Sequence, residues 1–137
     1  MTYLLDTNVV SETRKRQPEP SVIYWLEATD PNALYVSVLT LGEITKGSMQ
    51  RRRRDPGGAD RLERWLAGLR KLLAERILAV GDAEATCWGR LATRSTLPVI
   101  DGLVAATALV QDLTLVTRNT EDFARSGARL LDPWKVE

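Results

Sequence analysis

The chain has 137 residues, about the size of one domain, and a formal charge of +1 from 19 Lys and Arg against 18 Asp and Glu. At this length roughly two-thirds of the surface exposed by the unfolded chain can be buried, so a hydrophobic core suffices for folding. A single cysteine, Cys87, excludes an internal disulfide, and the absence of histidine removes the commonest general acid–base and the commonest transition-metal ligand. No basic segment followed by a long apolar stretch opens the chain, and "LPVIDGLVAATALV" is broken by Asp101 and too short for a bilayer. A soluble, cytoplasmic protein with no membrane attachment is expected.

Short β-rich runs alternate with helical patterns along the chain. "YLL" at 3–5 predicts a strand buried on both faces, and "PSVIYWLEA" a helix with Ser21 as cap and Val22, Trp25 and Leu26 on one face. "LYVSV" at 34–38 is the second strand. A helix opening at Thr40–Glu43 carries Leu41, Ile44 and Met49 and ends in the run Arg51–Arg54, and "DPGGAD" at 55–60 predicts a loop. From Ala59 to Arg76 the spacing of Leu62, Trp65, Leu66, Leu69, Leu72 and Leu73 predicts an amphipathic helix. "ILAV" at 77–80 is the third strand. Asp82 is expected to cap a helix running through Trp88 and Leu91 and ending before Pro98, and "IDGLVAATALVQD" a mostly buried helix; "LTLVT" at 113–117 and "RLL" at 129–131 complete the strands. The pattern predicts a single α/β domain over 1–137, its mainly parallel sheet of about five strands flanked by helices.

On this layout Asp6 follows the first strand, Glu43 lies in the first turn after the second, Asp101 starts a helix, and Asn119 and Asp122 follow the fourth strand. Each has a local explanation. Glu43 completes a Thr-x-x-Glu capping box with Thr40, Asp101 favours a helix N-terminus, Asp6 suits an Asx-turn, and Asp122 suits a cap. Together they point elsewhere, because the C-terminal ends of parallel strands share one edge where such folds place their sites. Two carboxylates about 4 Å apart repel by on the order of 4 kcal/mol at an effective dielectric near 20, more than a cap returns, so a cluster needs a cation. With oxygen ligands only, Mg²⁺ or Mn²⁺ is expected rather than zinc or copper, with Thr7, Asn8, Thr117 and Asn119 supporting the carboxylates. Such a site suits phosphodiester hydrolysis, in which the ion acidifies water and neutralises phosphoryl charge without a histidine.

The motifs "LLDTNVVSE", "SVLTLGEITKG", "IDGLVAATA", "LVTRNTEDF" and "LLDPW", in this order and spacing, resemble those of PIN-domain ribonucleases, specifically toxins of the VapC/FitB type. The resemblance implies a Mg²⁺- or Mn²⁺-dependent endoribonuclease of a toxin–antitoxin pair, with Asp6, Glu43 and Asp101 at the metal. It also implies a homodimer and an antitoxin whose C-terminal part covers the cleft. The fourth acidic position falls to either Asn119 or Asp122, the substrate is either transfer or ribosomal RNA, and either one or two ions are bound.

Lys46 and Arg51, Arg52, Arg53 and Arg54 form a basic cluster, which is either a solvated helix end or a track for the RNA backbone. Trp25, Trp65 and Trp88 fall on apolar helix faces and are assigned to core or dimer contacts; Cys87 is expected to be buried. Two other functions use a similar fold. A phosphoacceptor signalling module calls for adjacent acids near the first strand, where Asp6 stands alone, and a metal-free binding module leaves the acids without a task.

Overall fold

The computed structural model describes residues 1–136. Strand β1 (Tyr3–Leu5) lies at the centre of a five-stranded sheet, with β2 (Leu34–Ser37) and β3 (Ile77–Leu78) on one side and β4 (Thr114–Val116) and β5 (Leu130–Leu131) on the other. All four pairings are parallel, and Tyr3 aligns with both Leu34 and Thr114. The chain winds outward from β1 to β3 and then returns to the other side of β1, so the winding reverses between β1 and β4. At such a reversal the flanking connections leave on opposite faces and open a crevice at the C-terminal strand ends.

Alternate residues of each strand point to opposite faces, and both faces are covered. Leu5, Val36 and Val116 pack with Val9, Val22, Trp25, Leu41, Ile44, Leu62 and Leu66. These come from α1 (Thr7–Glu12), α2 (Pro20–Ala28), α3 (Val38–Arg52) and α4 (Pro56–Leu73). On the other face Leu4 and Leu115 meet Leu91, Val104, Ala105, Ala108 and Phe123, supplied by α5 (Asp82–Ala92), α6 (Val99–Val110) and α7 (Thr120–Phe123). No helix among the described residues is long and apolar enough to cross a membrane.

The five strands stand where the sequence places them, while several helix ends differ for local reasons. Thr7–Glu12 is a helix rather than a turn, with Asp6 at its N-cap accepting a hydrogen bond from the Thr7 amide. Helix α3 begins at Val38 with Ser37 as its cap, so Thr40 is a buried residue inside the first turn and the expected Thr40–Glu43 capping box does not form. The stretch "DPGGAD" is the start of α4 rather than a loop: Asp55 caps it through the Gly58 amide, Pro56 occupies the first position where no N–H is needed, and Ala74 at φ 46° ends it. Ser21 does not cap α2, its hydroxyl donating instead to the Trp134 carbonyl at 3.4 Å. Asp82 is the first residue of α5 rather than its cap, and Glu84 accepts from the Gly81 amide at 2.8 Å. Strand β3 is shorter than "ILAV", and Cys87 is half-buried rather than buried.

Small residues let α6 approach α5 closely. A Cβ on Gly102 would lie 2.8 and 2.9 Å from two atoms of the Trp88 ring. Gly102→Ala is therefore expected to destabilise the fold by about 1–3 kcal/mol through overpacking. Gly89→Ala, where the Cβ meets nothing within 4 Å, is expected to stabilise by about 0.5–1 kcal/mol. Urea unfolding of the two variants checks both signs.

Candidate active site

The crevice between β1 and β4 is built by residues that leave each strand end. Asp6 follows β1 directly, its amide donating to the Val116 carbonyl of β4 at 2.9 Å, so its position is set by the sheet ladder itself. Its carboxylate is buried and held by three donors: the Thr7 amide at 2.9 Å, the Thr117 hydroxyl at 2.8 Å and, more weakly, the Asn8 amide at 3.4 Å. Asn8 also donates to Thr117 at 3.3 Å and accepts from the Arg118 amide at 3.3 Å, while the Asn119 amide donates to the Thr117 hydroxyl at 3.1 Å. The loops after β1 and β4 are thus tied together through polar groups around one carboxylate.

Glu43 reaches the same place from the first half of α3, accepting the Thr7 hydroxyl proton at 2.5 Å. The buried Thr40 hydroxyl lies 3.1 Å from the same Thr7 oxygen and supports that contact. Asp101 arrives from the first turn of α6, half-buried, and Asp122 from the exposed side of α7. Asp101 and Asp122 line a common pocket of about 440 Å³.

Electrostatics tie the four acids together. The Asp101 carboxyl is pushed up to about 6, first by burial and then by the charges of Asp6, Glu43 and Asp122. Burial also raises Asp6, against the pull of its hydrogen bonds from Thr117 and Thr7, and Glu43 adds to the rise. Among the described residues no three carboxylates converge on a single point: they lie within electrostatic reach rather than in contact, with Glu43 turned onto Thr7. Asp122 belongs to this electrostatic set, whereas the Asn119 side chain is exposed and its only hydrogen bond in the site is made by its backbone.

The basic cluster divides. Arg51 pairs with Asp55 at 3.1 Å, and Arg52 with Asp60 at 2.9 Å and Glu63 at 3.0 Å. Lys46, Arg53 and Arg54 form no ion pair among the described residues. A groove lined by Glu43, Lys46, Gln50 and Ile100 leads from the site along α3 into a wider one, about 820 Å³, lined by Lys46, Met49, Gln50, Arg52 and Arg53. Trp25 is buried edge-on against Tyr3, Trp65 packs against the same core cluster, and Trp88 packs against Gly102. The sequence pattern did not point to Thr40 as a support for Glu43, since Thr-x-x-Glu has the form of a cap; only the start of α3 at Val38 reveals it.

The PIN-domain family model matches residues 3–128. The chain belongs to the PIN-domain family. This PIN domain is 32% identical over 139 residues to the VapC ribonuclease Y4jK of Sinorhizobium fredii, covering 96% of this chain and 97% of that one. To toxin FitB of Neisseria gonorrhoeae it is 30% identical over 138 residues, covering 96% and 97%. Its structure is similar to a chain in the crystal structure of FitAcB from the same organism, with a TM-score of 0.85, 29% identity and coverage of 98% and 100%.

The raised carboxyls of this PIN domain carry a pH signature. The folded-state pKa of Asp101 exceeds its unfolded value, so the protonated form favours folding: that stabilisation is present below 3.8 and lost as pH rises through about 6. Asp6 shifts in the same direction and adds to the trend. Glu12, lowered chiefly by its hydrogen bond with Lys15, acts in the opposite sense but only below its ordinary 4.5. In a chelator, urea-unfolding stability is therefore expected to fall as pH rises from about 4.5 to just above 6, and Asp101→Asn to flatten that fall.

Proposed function

We propose that this PIN domain is an endoribonuclease that hydrolyses RNA phosphodiester bonds with Mg²⁺ or Mn²⁺ and acts as the toxin of a toxin–antitoxin pair. The observation that carries the reading is Asp101, raised to about 6 by burial and by Asp6, Glu43 and Asp122 at the sheet's winding reversal. Relatives at 30–32% identity over nearly the whole chain, named as a ribonuclease and a toxin, support it.

The residues present suit a divalent ion. Their side-chain donors are all oxygens, the choice of Mg²⁺ and Mn²⁺ over softer metals, and the charges of Asp6, Glu43 and Asp122, which after burial raise Asp101, are what a cation relieves. Asp6, Glu43 and Asp101 would hold the ion, with Asp122 as the fourth acid. When bound, the ion supplies Lewis-acid charge to the phosphate and acidifies water. The protein's own part is orientation. Thr117, Asn8 and the Thr7 amide fix the Asp6 carboxylate, and Thr7, backed by Thr40, fixes Glu43.

The groove along α3 supplies the approach. Lys46 and Arg53 face it without ion-pair partners among the described residues and would contact the RNA backbone, whereas Arg51 and Arg52 are engaged by Asp55, Asp60 and Glu63. Transfer or ribosomal RNA is the substrate class that the family resemblance supports. The same resemblance supports a homodimer in the cytoplasm and a cognate antitoxin whose C-terminal part covers the acid cleft.

Protein freed of any partner is expected to cleave RNA in Mg²⁺ or Mn²⁺ and to stop in EDTA. Asp6→Asn and Asp101→Asn are each expected to lose at least about a hundredfold in rate, the scale of one electrostatic catalytic group. Gel-resolved cleavage of a transfer RNA and ribosomal RNA mixture checks this, and undiminished activity in both variants would defeat the assignment. Lys46→Ala is expected to lower the salt dependence of RNA binding by about one phosphate contact, a slope change of ~0.7.

A further inference from the structure

Arg118 follows Thr117 directly, so its backbone is part of the network around Asp6, its amide donating to the Asn8 side chain at 3.3 Å. Its guanidinium, in contrast, is exposed and lies over the Trp134 ring, 5.0 Å from the centroid. The segment that carries Trp134 is itself tethered. The Trp134 amide donates to Asp132 at 2.9 Å, its carbonyl accepts from Ser21 at 3.4 Å, and the Lys135 amide closes a turn onto the Asp132 carbonyl at 3.1 Å. Arg118 and Lys135 share a recess of about 170 Å³ with Asn119, Thr120, Glu121 and Asp122. Among the described residues neither cation is in an ion pair, although two carboxylates line the same recess.

An arginine stacked on an aromatic ring is oriented without spending its N–H donors, which remain free to grip an anion in a planar fork. The charge on Arg118 also reaches the buried Glu12, whose carboxyl is lowered first by Lys15, then by the Glu19 amide, and least by Arg118. The geometry therefore fixes a cation with unused donors at the rim of an acid cluster. A polyanion approaching Asp6, Glu43, Asp101 and Asp122 meets like charge and needs cationic anchors beside them.

We propose that Arg118, with Lys135 across the recess, binds an RNA backbone phosphate adjacent to the one being cut, and that Trp134 holds its guanidinium for that contact. The inference rests on the ribonuclease reading and deepens it. Arg118 is a substrate-positioning residue that acts on binding rather than on the bond-breaking step, and the phosphate it takes lies on the β4 side of the cleft, away from the α3 groove.

The test uses the full chain and a fluorescein-labelled single-stranded RNA in EDTA, with fluorescence anisotropy read across a salt series. Arg118→Ala is expected to raise Kd about tenfold and reduce the salt slope by ~0.7, the loss of one phosphate contact. Arg118→Lys is expected to keep the slope while recovering only part of the affinity, because the charge remains and the stacked fork is lost. Trp134→Leu should weaken binding with the slope unchanged. In Mg²⁺, Arg118→Ala should raise KM with kcat within about threefold of the parent. Thermal midpoints of all variants show whether folding is intact, and Arg118→Lys tests the slope if Arg118→Ala does not fold. An unchanged Kd and slope in Arg118→Ala, while the parent cleaves RNA, overturns this inference alone, as does an effect confined to binding of a protein partner. A parent that binds RNA but cleaves none in either metal overturns the ribonuclease reading, and the anisotropy slopes still judge Arg118. A parent that binds no RNA overturns both.

Discussion

Repulsion among carboxylates is the constraint on which the rest of this structure depends. Burial first, and then the charges of Asp6, Glu43 and Asp122, lift Asp101 to about 6, so the fold keeps like charges within one another's field at a cost in stability. Such an arrangement persists only if the backbone around it is held more firmly than the charges push. The Asp6 amide is locked into the β1–β4 ladder, and its carboxylate accepts donors from loops at both strand ends. Behind it Leu4, Leu115 and Val116 are fully buried, each contributing about 1.5–3 kcal/mol relative to exposure.

Packing on the two faces does different work for the site. On one face α1 and α3 bring Thr7 and Glu43 together through a hydroxyl pair that includes the buried Thr40. On the other, α6 must approach closely for Asp101 to reach the edge, and its inner surface is made of Gly102, Ala105 and Ala108. The small side chains that look unremarkable in a composition table are what place Asp101 at the strand-end crevice. Positive charge is distributed with equal economy: arginines near α4 are neutralised by its acids, and the cations left free line the grooves beside the cleft.

Much of this was legible beforehand. The strands announced themselves as short apolar runs because both faces of a parallel sheet are covered, and Asp6, Glu43 and Asp101 stood out because each followed such a run or opened a helix in a chain without histidine. Helix starts were less legible. Thr40–Glu43 and Asp82 carry the residue types of caps, but caps are chosen by backbone geometry, and Ser37 and Gly81 occupied those positions. The "DPGGAD" stretch misled in the opposite direction, since its glycines signal a loop while Asp55 and Pro56 start a helix.

What the sequence by itself determined is the alternation of strand and helix, the oxygen-only chemistry of the acids, and a family resemblance carried by motifs whose spacing survives without coordinates. Those properties are local or additive, so they can be read along one dimension. Only the tertiary structure decided which arginines are engaged, that Asp122 rather than Asn119 acts electrostatically on Asp101, that Thr40 supports Glu43, and that Trp134 lies under Arg118. Each of these depends on a contact between distant segments, and the strength of charge and hydrogen bonding is set by distance and burial in space, which no interval along the chain encodes.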